Sequence, residues 1–348
     1  MARNRGPKPR LDEFEFRTLA VKSMSSIALN TSHQKGAASR VCGPFDPGDD
    51  DAYRRWRDAK LAGYPQRPEK LFVEIADLAH PTAAEQAAIT TLCGKANMAI
   101  YVTRRKRLDP SAVRDDLLTF ARAFGLNRME GHRSAAEDGV VALEIARDNT
   151  RSGYIPYTNR PLSWHTDGYY NAPEDRIRSF ILHCCRNAER GGENALLDPE
   201  IAYIRLRDEN PRFIAALMHD EAMTIPANHE ANGSVRPESV GPVYSVDRRS
   251  GTLRMRYTAR RRYIAWRDDP DTRDAAAFIT DMLAGGEPFI FRHKLEPGQG
   301  IICNNVLHAR AGFDGAPSST ASSGRLLYRI RYQDQIAGTG CLDGPDRP

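Results

Sequence analysis

The sequence predicts an α+β protein in which helices pack around an antiparallel jelly-roll core. Two observations predict this fold class. Short segments of strand character, separated by turn residues, fill the centre and the C-terminal third of the chain with the spacing of a β-sandwich or barrel. Helical segments interrupt them without the regular alternation of a doubly wound sheet. A closed, double-layered sheet also has an interior able to hold a metal ion and a small ligand.

The chain divides into an extended N-terminal arm, residues 1–65, and a folded domain, residues 66–348. The arm is rich in Arg, Pro, Gly and Asp, and its segment GPFDPGDDDAYRRWRD breaks any long periodic pattern. We expect no catalytic residue in this arm.

Five helices are expected in the domain. The segment 81–94 begins with proline and ends with glycine, and in the segment 109–124 Asp109 is the expected cap with Pro110 at the first helical position. The same criteria predict helices at 199–207, 211–219 and 271–284. No internal repeat is present.

Strands are predicted around these helices, from apolar and alternating segments bounded by turn residues. They lie at residues 96–104, 140–146, 178–188, 193–198, 242–247, 252–258, 288–295, 299–310 and 325–333. The segment GAPSSTASSG, residues 315–324, is expected to be a flexible loop between the last two strands.

Composition excludes several classes of protein. No apolar stretch approaches the roughly 18 residues of a membrane span, and the basic N-terminus lacks the apolar core of a secretory signal. The six cysteines form no CxxC pair, and the adjacent Cys184 and Cys185 are expected to be buried thiols. The formal charge of +5 is not concentrated with aromatic residues on one element, which disfavours nucleic-acid binding. A cytoplasmic location is therefore predicted.

A metal site is predicted from three residues. His165 and Asp167 stand at i and i+2, so on a strand both side chains leave the same face. A second His-x-acid pair begins at His219, but there it ends a predicted helix and faces differently. His308, in an apolar strand, is the best third ligand. Two histidines and one carboxylate suit iron(II) oxygenases, because they leave positions open on the metal; the alternative for His308 is a hydrogen-bonded core histidine.

The last predicted strand carries an unusual arginine pattern. Alternation places Arg325, Arg329 and Arg331 on one face with Leu327, and four apolar or aromatic residues on the other face, which is expected to be core. Three guanidinium groups on one face are costly to bury without anions, but suit a cavity that receives carboxylates. A dicarboxylate cosubstrate explains them; a solvated strand face is the alternative.

These residues resemble the taurine dioxygenase family of iron(II)/2-oxoglutarate oxygenases. The similarity covers roughly residues 150–335 and rests on WHTD at 164–167, GGEN at 191–194, NNVLHAR at 304–310 and the pair Arg325 and Arg329. It implies a double-stranded β-helix (jelly-roll) fold. It also implies iron(II) as cofactor, with 2-oxoglutarate and O2 as cosubstrates. The expected reaction is hydroxylation of a small charged metabolite, with release of succinate and CO2.

The resemblance also implies roles for individual residues. His165, Asp167 and His308 would be the iron ligands, and Arg325 would bind the distal carboxylate of 2-oxoglutarate. Asn194 could donate to the same carboxylate, and Arg329 would support it or point toward substrate. The loop 315–324 lengthens the separation between His308 and Arg325, which is a departure from the family pattern.

Within that family the chain looks like the branch containing γ-butyrobetaine hydroxylase. The segments YTNRPLSWHTD, residues 157–167, and RSFILHCCRNAERGGENALLD, residues 178–198, carry this similarity. In that branch an aromatic residue at the position of Tyr157 contacts a trimethylammonium group by cation–π attraction. Tyr157 is thus a candidate for the substrate pocket; a packed strand tyrosine is the alternative.

The substrate is expected between the iron and the loops carrying Tyr169 and Tyr170, together with the strand around Arg256. These residues are polar and partly cationic, so an anionic small molecule is predicted, and Arg256 and Tyr169 are candidate contacts. A homo-oligomer is compatible with the sequence. The competing hypotheses are a cupin-like metal-dependent hydrolase or isomerase, which has no use for Arg325, and a non-enzymatic binding protein.

Overall fold

A six-stranded sheet and a four-stranded sheet form the centre of the computed structural model. It describes residues 43–104, 109–131, 138–146, 154–229, 235–247, 250–260, 264–315 and 324–340. Most of the predicted N-terminal arm, Arg261, Arg262, and residues 316–323 of the predicted loop lie outside the described residues, as do Cys42 and Cys341. The predicted boundary at residue 65 stays a prediction.

The helices begin where the sequence places a cap and, with one exception, were expected. Asp109 accepts a hydrogen bond from the Ser111 amide, as predicted, and Thr82 and Glu85 form a reciprocal capping box. The α-helices of the described residues are α1 (Asp50–Leu61), α2 (Ala83–Ala96), α3 (Pro110–Ala123), α4 (Pro199–Glu209), α5 (Pro211–Leu217) and α6 (Pro270–Ala284). Short 3-10 helices lie at Pro68–Leu71, Ile155–Tyr157 and Pro173–Asp175.

Most strands follow the predicted segments. The predicted strand 299–310 is instead two strands of different sheets, Gln299–Cys303 and Leu307–Arg310, and Phe72–Ile75 and several short strands between α5 and α6 were not predicted. The strands of the described residues are β1 (Phe72–Ile75), β2 (Met98–Thr103), β3 (Val141–Leu143), β4 (Leu162–His165), β5 (Ser179–Arg186), β6 (Asn194–Leu197), β7 (Met223–Ile225), β8 (Asn228–His229), β9 (Val235–Arg236), β10 (Ser239–Gly241), β11 (Tyr244–Val246), β12 (Leu253–Met255), β13 (Ala265–Trp266), β14 (Phe291–His293), β15 (Gln299–Cys303), β16 (Leu307–Arg310) and β17 (Leu326–Tyr332).

The larger sheet has the order β1-β2-β15-β5-β17-β3, and the smaller one has the order β14-β6-β16-β4. Only β1 and β2 pair in parallel among the described strands of these two sheets. Smaller sheets, β10-β7-β13, β11-β12 and β8-β9, belong to the region between residues 223 and 266. The antiparallel character that the sequence predicted is therefore observed.

The two faces of β17 contribute to two different apolar clusters. Leu327 belongs to a cluster that includes residues of both large sheets, such as Leu182 and Leu307. Leu326, Tyr328, Ile330 and Tyr332 belong to a second cluster, which also contains residues of α2 and α3. The predicted alternation along this strand is confirmed. One face of the larger sheet is thus covered by helices, and the other contacts the smaller sheet.

Helix α1 was not anticipated, and it is attached to the body by a buried charge. Lys60 Nζ forms ion pairs with Asp198 at 2.8 Å and with Glu200 at 2.5 Å, and all three side chains are buried. Tyr53 in the same helix donates to Asp208 at 2.7 Å. No helix of the described residues is both long enough and apolar enough to cross a bilayer. The described cysteines, including Cys184 and Cys185, are free thiols.

Candidate active site

The structure brings together the three residues predicted to bind metal. Strands β4 and β16 are antiparallel neighbours in the smaller sheet, and His165 stands opposite His308 in their register. Their imidazole centroids are 4.2 Å apart. Asp167 lies in the turn that follows β4. One potential ligand atom from each of these residues lies within 4.8 Å of the others.

Backbone carbonyls fix the orientation of both imidazoles. His165 Nδ1 lies 2.9 Å from the Ser163 oxygen, and His308 Nδ1 lies 2.9 Å from the Val306 oxygen. Because a carbonyl only accepts, each Nδ1 carries the proton, and each Nε2 keeps its lone pair for another partner. Burial, then the neighbouring His308, lowers the pKa of His165 to about 3. Burial also lowers the pKa of His308, so both rings are neutral near pH 7.

Asp167 is buried and remains ionised. Burial by itself would raise the pKa of Asp167, but Arg329 and Arg331 hold it well below its usual value. Its Oδ1 lies 3.3 Å from Arg329 Nη1 and 3.5 Å from Arg331 Nη1. Its Oδ2 has no hydrogen-bond partner among the described residues. Two neutral imidazoles and a carboxylate with one free oxygen therefore form a donor set that fits a divalent ion such as iron(II).

Two residues that hold this site were not assigned a role from the sequence. Asn305, within the NNVLHAR motif, accepts from the Asp167 amide at 2.8 Å and donates to the Asp167 carbonyl at 3.0 Å, with φ of 47°. Glu130 pairs with Arg331 and accepts from Asn171 at 2.9 Å. The Asn-Asn repeat before the histidine strand was the available signal for Asn305; Glu130 had none.

Arg325 and Asn194 line one small cavity of about 190 Å³, together with Gly191 and Gly192. Arg325 is 9% exposed, and no acidic side chain pairs with it among the described residues; burial lowers its pKa to about 10. Asn194 Nδ2 is buried without a hydrogen-bond partner in the described part of the chain. Both polar groups are thus available to an anion.

The glycines and an aromatic ring shape this cavity. Gly191 and Gly192 have φ of 73° and 78°, and a Cβ on Gly191 would lie 2.2 Å from the Gly312 oxygen, so a side chain would force this loop away. The Phe313 ring lies between two guanidiniums, those of Arg310 and Arg325, each 4.9 Å from the ring centroid.

A larger cleft, with an empty volume of about 560 Å³, adjoins Asp167. Tyr169, a predicted substrate contact, lines it, and the Tyr169 ring lies 6.3 Å from the His165 ring. Ser239, Val240 and Gly241 form part of the opposite wall. The cleft is therefore placed to bring a small molecule beside the three clustered side chains.

Arg256 also lines this cleft, but its hydrogen bonds differ from those expected of a substrate contact. Its five N–H groups are matched by five protein acceptors: the oxygens of Tyr169, Met223, Gly241 and Ser239, and the Ser239 hydroxyl. We therefore assign Arg256 to holding the cleft wall. A local sequence pattern could not predict this role of Arg256, because most of its acceptors are backbone oxygens of residues far away in the sequence.

Tyr157 is placed away from the cavities. It ends the 3-10 helix Ile155–Tyr157, rather than a strand, and is 4% exposed within the main apolar cluster. It lines neither the cleft nor the Arg325 cavity. The structure thus gives Tyr157 a packing role and does not support a substrate contact.

Comparison with known proteins identifies the family. Residues 106–331 match the family model described as taurine catabolism dioxygenase TauD, TfdA family. Two relatives are both described as uridine-5'-phosphate dioxygenases. The one from Amycolatopsis sp is 29% identical over 47% of this chain and 60% of its own length, and the one from Streptomyces sp is 30% identical over 57% and 70%. The chain thus spans less than two thirds of the first.

Solved structures share the fold at low identity. OrfP, a non-heme iron oxygenase crystallised with Fe, succinate and (3R,4R)-dihydroxy-L-Arg, superposes with a TM-score of 0.55 at 16% identity, covering 73% of this chain and 82% of OrfP. The PvcB protein from Pseudomonas aeruginosa gives 0.51 at 16% identity, covering 75% and 84%. The predicted class of enzyme, a dioxygenase dependent on iron(II) and 2-oxoglutarate, agrees with these findings. The chain belongs to the taurine catabolism dioxygenase TauD, TfdA family.

Proposed function

We propose that this chain uses iron(II), 2-oxoglutarate and O2 to hydroxylate a small metabolite that bears an anionic group. His165, Asp167 and His308 would hold the metal, and Arg325 with Asn194 would bind the far carboxylate of 2-oxoglutarate. The observation that carries the proposal is the free Oδ2 of buried Asp167, beside two imidazoles whose Nε2 atoms are left as acceptors.

The residues of the chain define how the metal would be held. Three protein ligands leave three positions of an octahedral ion open, enough for a bidentate cosubstrate and O2. When bound, iron(II) with 2-oxoglutarate supplies the oxidising chemistry. The carbonyls of Ser163 and Val306 keep both imidazoles in the ligating tautomer, and Asn305 fixes the backbone of Asp167.

The second cavity supports a diacid as cosubstrate. Asn194 stands opposite Arg310 in the β6–β16 register, while His308 stands opposite Leu196. Two strand residues span roughly 7 Å, so Asn194 lies about that far along the sheet from the His308 level. A five-carbon diacid can bridge such a separation, with one carboxylate at the metal and the other at the guanidinium of Arg325, which pairs with no acidic side chain in the described part of the chain. Arg329, which lies in the strand that follows Arg325, would hold Asp167 in place through its contact with Oδ1.

The cleft favours an anionic substrate. Three arginines line it, whereas Asp167 is the only acidic residue of its lining. A trimethylammonium substrate, as in the γ-butyrobetaine hydroxylase branch, would be repelled there. The relatives named uridine-5'-phosphate dioxygenases make a nucleoside 5'-monophosphate the first candidate. We also propose that the two larger sheets form the double-stranded β-helix; the cytoplasmic location stays a prediction.

The test is spectroscopic. Anaerobic addition of iron(II) and 2-oxoglutarate should produce the visible charge-transfer band of the chelated diacid. Arg325→Ala should weaken binding of 2-oxoglutarate roughly ten- to hundred-fold, because a charge-assisted bidentate contact is lost. Asp167→Ala should abolish the band. Arg212→Ala, at an exposed guanidinium 3.7 Å from Asp271, is the control and should behave as wild type.

The opposite result has a definite meaning. If the wild-type chain binds iron(II) but gives no band with 2-oxoglutarate, a metal-dependent hydrolase or isomerase replaces the proposal. If no divalent ion binds, the site is not a metal centre. Succinate formation on addition of uridine 5'-monophosphate then tests the substrate class.

A further inference from the structure

The charges that line the cleft beside Asp167 do not balance. Arg176, Arg254 and Arg256 contribute three positive charges to the lining and Asp167 contributes one negative charge, while Asp247, outside the lining, pairs with Arg254, so a net positive charge remains. A cleft with such an excess attracts anions and favours a ligand whose charge neutralises it.

Two of the three guanidiniums already have protein partners. Arg256 donates to five acceptors of the cleft wall. Arg254 donates to Asp247 at 3.1 Å and to Gln335 at 3.4 Å. The two arginines deeper in the site are also engaged, since Arg329 and Arg331 both contact Asp167.

Arg176 is the exception. It follows the 3-10 helix Pro173–Asp175, its side chain is half-buried, and no hydrogen bond or ion pair engages its guanidinium within the described residues. Its charge reaches its neighbours: burial and then Arg176 lower the pKa of Arg256 to about 10. A cation held beside like charges, without a counterion, is available to an anionic ligand.

The surrounding groups suit a phosphate ester. Ser239 and Ser245 also line the cleft, and their hydroxyl groups can donate to an anion. A phosphomonoester carries about −1.5 to −2 charges near pH 7 and offers three acceptor oxygens, which suits a net positive cleft with a guanidinium and two hydroxyl groups as donors.

We propose that Arg176 is the residue that selects the substrate, by binding a phosphomonoester dianion in the cleft beside Asp167. This inference rests on the proposed function and names the group recognised there. Arg176 contacts the anionic end of the substrate, while the carbon to be oxidised lies toward the Asp167 end of the same cleft.

The experiment measures binding rather than turnover. The protein is loaded anaerobically with iron(II) and 2-oxoglutarate, and uridine 5'-monophosphate and uridine are titrated calorimetrically. The wild-type chain should bind the phosphate ester more tightly than the nucleoside. Arg176→Gln should weaken binding of the phosphate ester about ten- to hundred-fold and leave the affinity for uridine unchanged. Arg176→Lys should recover part of the loss, and Arg212→Gln should match wild type.

The outcomes separate the inference from the proposed function. Formation of the charge-transfer band in wild type and in Arg176→Gln shows that metal and cosubstrate sites are intact. With that band present, equal affinity of Arg176→Gln and wild type for uridine 5'-monophosphate overturns the inference. The wild-type titration is repeated with the 5'-monophosphates of adenosine, guanosine and cytidine. If the wild-type chain binds none of the four monophosphates, or binds uridine as tightly as its phosphate, the inference is also overturned.

Discussion

The two carboxylate oxygens of Asp167 have different surroundings. Oδ1 lies within 3.5 Å of the guanidiniums of Arg329 and Arg331, whereas Oδ2 has no partner among the described residues. The two arginines therefore orient the carboxylate as well as keep it ionised. Arg331 is in turn paired with Glu130, so a chain of charged side chains joins Glu130, Arg331 and Asp167, the proposed metal ligand.

Replacing Arg331 should be costly to stability. Burial by itself would lower the pKa of Arg331, but Asp167 and Glu130 are among the groups that raise it, so the folded protein stabilises the charged form. Arg331→Met would leave Glu130 and Asp167 buried without this counter-charge. We expect a loss of about 3–5 kcal/mol in the free energy of unfolding of the metal-free protein, measured in urea.

An exposed ion pair provides the comparison for this loss. Arg54 pairs with Asp51 at 2.7 Å, but both side chains are more than half exposed. Arg54→Met should therefore leave the free energy of unfolding close to that of wild type. Equal effects of the two substitutions would show that Arg331 does not compensate buried charge.

His183 predicts a specific acid sensitivity. It is 3% exposed, its Nδ1 lies 3.1 Å from the Tyr101 hydroxyl, and burial lowers its pKa from 6.5 to about 4. Between these values the unfolded chain binds a proton at His183 and the folded chain does not. Stability should therefore fall as the pH decreases from 6.5 to 4, by roughly 1.4 kcal/mol per unit from this residue.

Comparing how the free energy of unfolding changes with pH in wild type and in a His183 variant separates the contribution of this histidine from those of other titrating groups. His183→Asn removes the titration while the other groups remain. The free energy of unfolding of this variant should lose about 3 kcal/mol less than wild type across the interval. Parallel pH profiles for the two proteins would mean that His183 is protonated in the folded state.

Individual site residues were predictable where a sequence pattern constrains direction. The i, i+2 spacing of His165 and Asp167, and the alternation along β17, fix which side chains share a face, and the structure brings His308 to the same point. Arg256 and Tyr157 illustrate the limit. Their partners are backbone oxygens and core side chains far along the chain, and no local pattern records such contacts.

At the scale of elements, α1 depends on one buried lysine. Burial by itself would lower the pKa of Lys60, but Asp198 and Glu200 raise it. Lys60→Met would leave both carboxylates without their cation, so we expect a loss of about 3–5 kcal/mol in the free energy of unfolding. Lys70→Met is the control, because Lys70 is exposed and lies outside α1, in the 3-10 helix Pro68–Leu71. Hydrogen exchange should show increased opening of α1 only in the Lys60 variant.

The elements with strong local signals were all predicted. A capping Asp or Asn followed by proline marks the starts of four expected helices, and in α2 the cap Thr82 follows Pro81; all five caps are present. Helix α1 was missed because its polar, charged sequence resembles a solvated segment, and its stability comes from Tyr53 and Lys60 reaching residues about 140–150 positions away. The short strands β7 to β10 carry too few residues for a period to emerge.

At the scale of the whole molecule, metal binding should stabilise the fold. The two imidazoles and the carboxylate come from two neighbouring strands, and the unfolded chain has no such arrangement. Manganese(II), which does not need anaerobic handling, at about 100 times its dissociation constant should add roughly 2.7 kcal/mol. The thermal midpoint should rise by about 4 °C, and a chelator should reverse the rise. In Asp167→Ala the midpoint should not respond to the metal.

The overall architecture was predictable because strand spacing and the absence of strand–helix alternation limit the fold classes. The order of the strands in the sheet was not predictable. Strand β15, in the C-terminal part of the chain, lies between β2 and β5, which come much earlier in the sequence. The charge balance of the cleft likewise depends on which of many arginines meet in space. That information exists only in the folded molecule.

The Arg325 cavity and the cleft beside Asp167 share no lining residue. Substitutions can therefore change the ligand preference of one cavity without altering the residues that line the other. Substitutions in the segment after Asp167, or in the wall at residues 239–245, would change the lining of the cleft and leave the lining of the Arg325 cavity unaltered. This modular arrangement makes the scaffold suitable for laboratory evolution toward new targets.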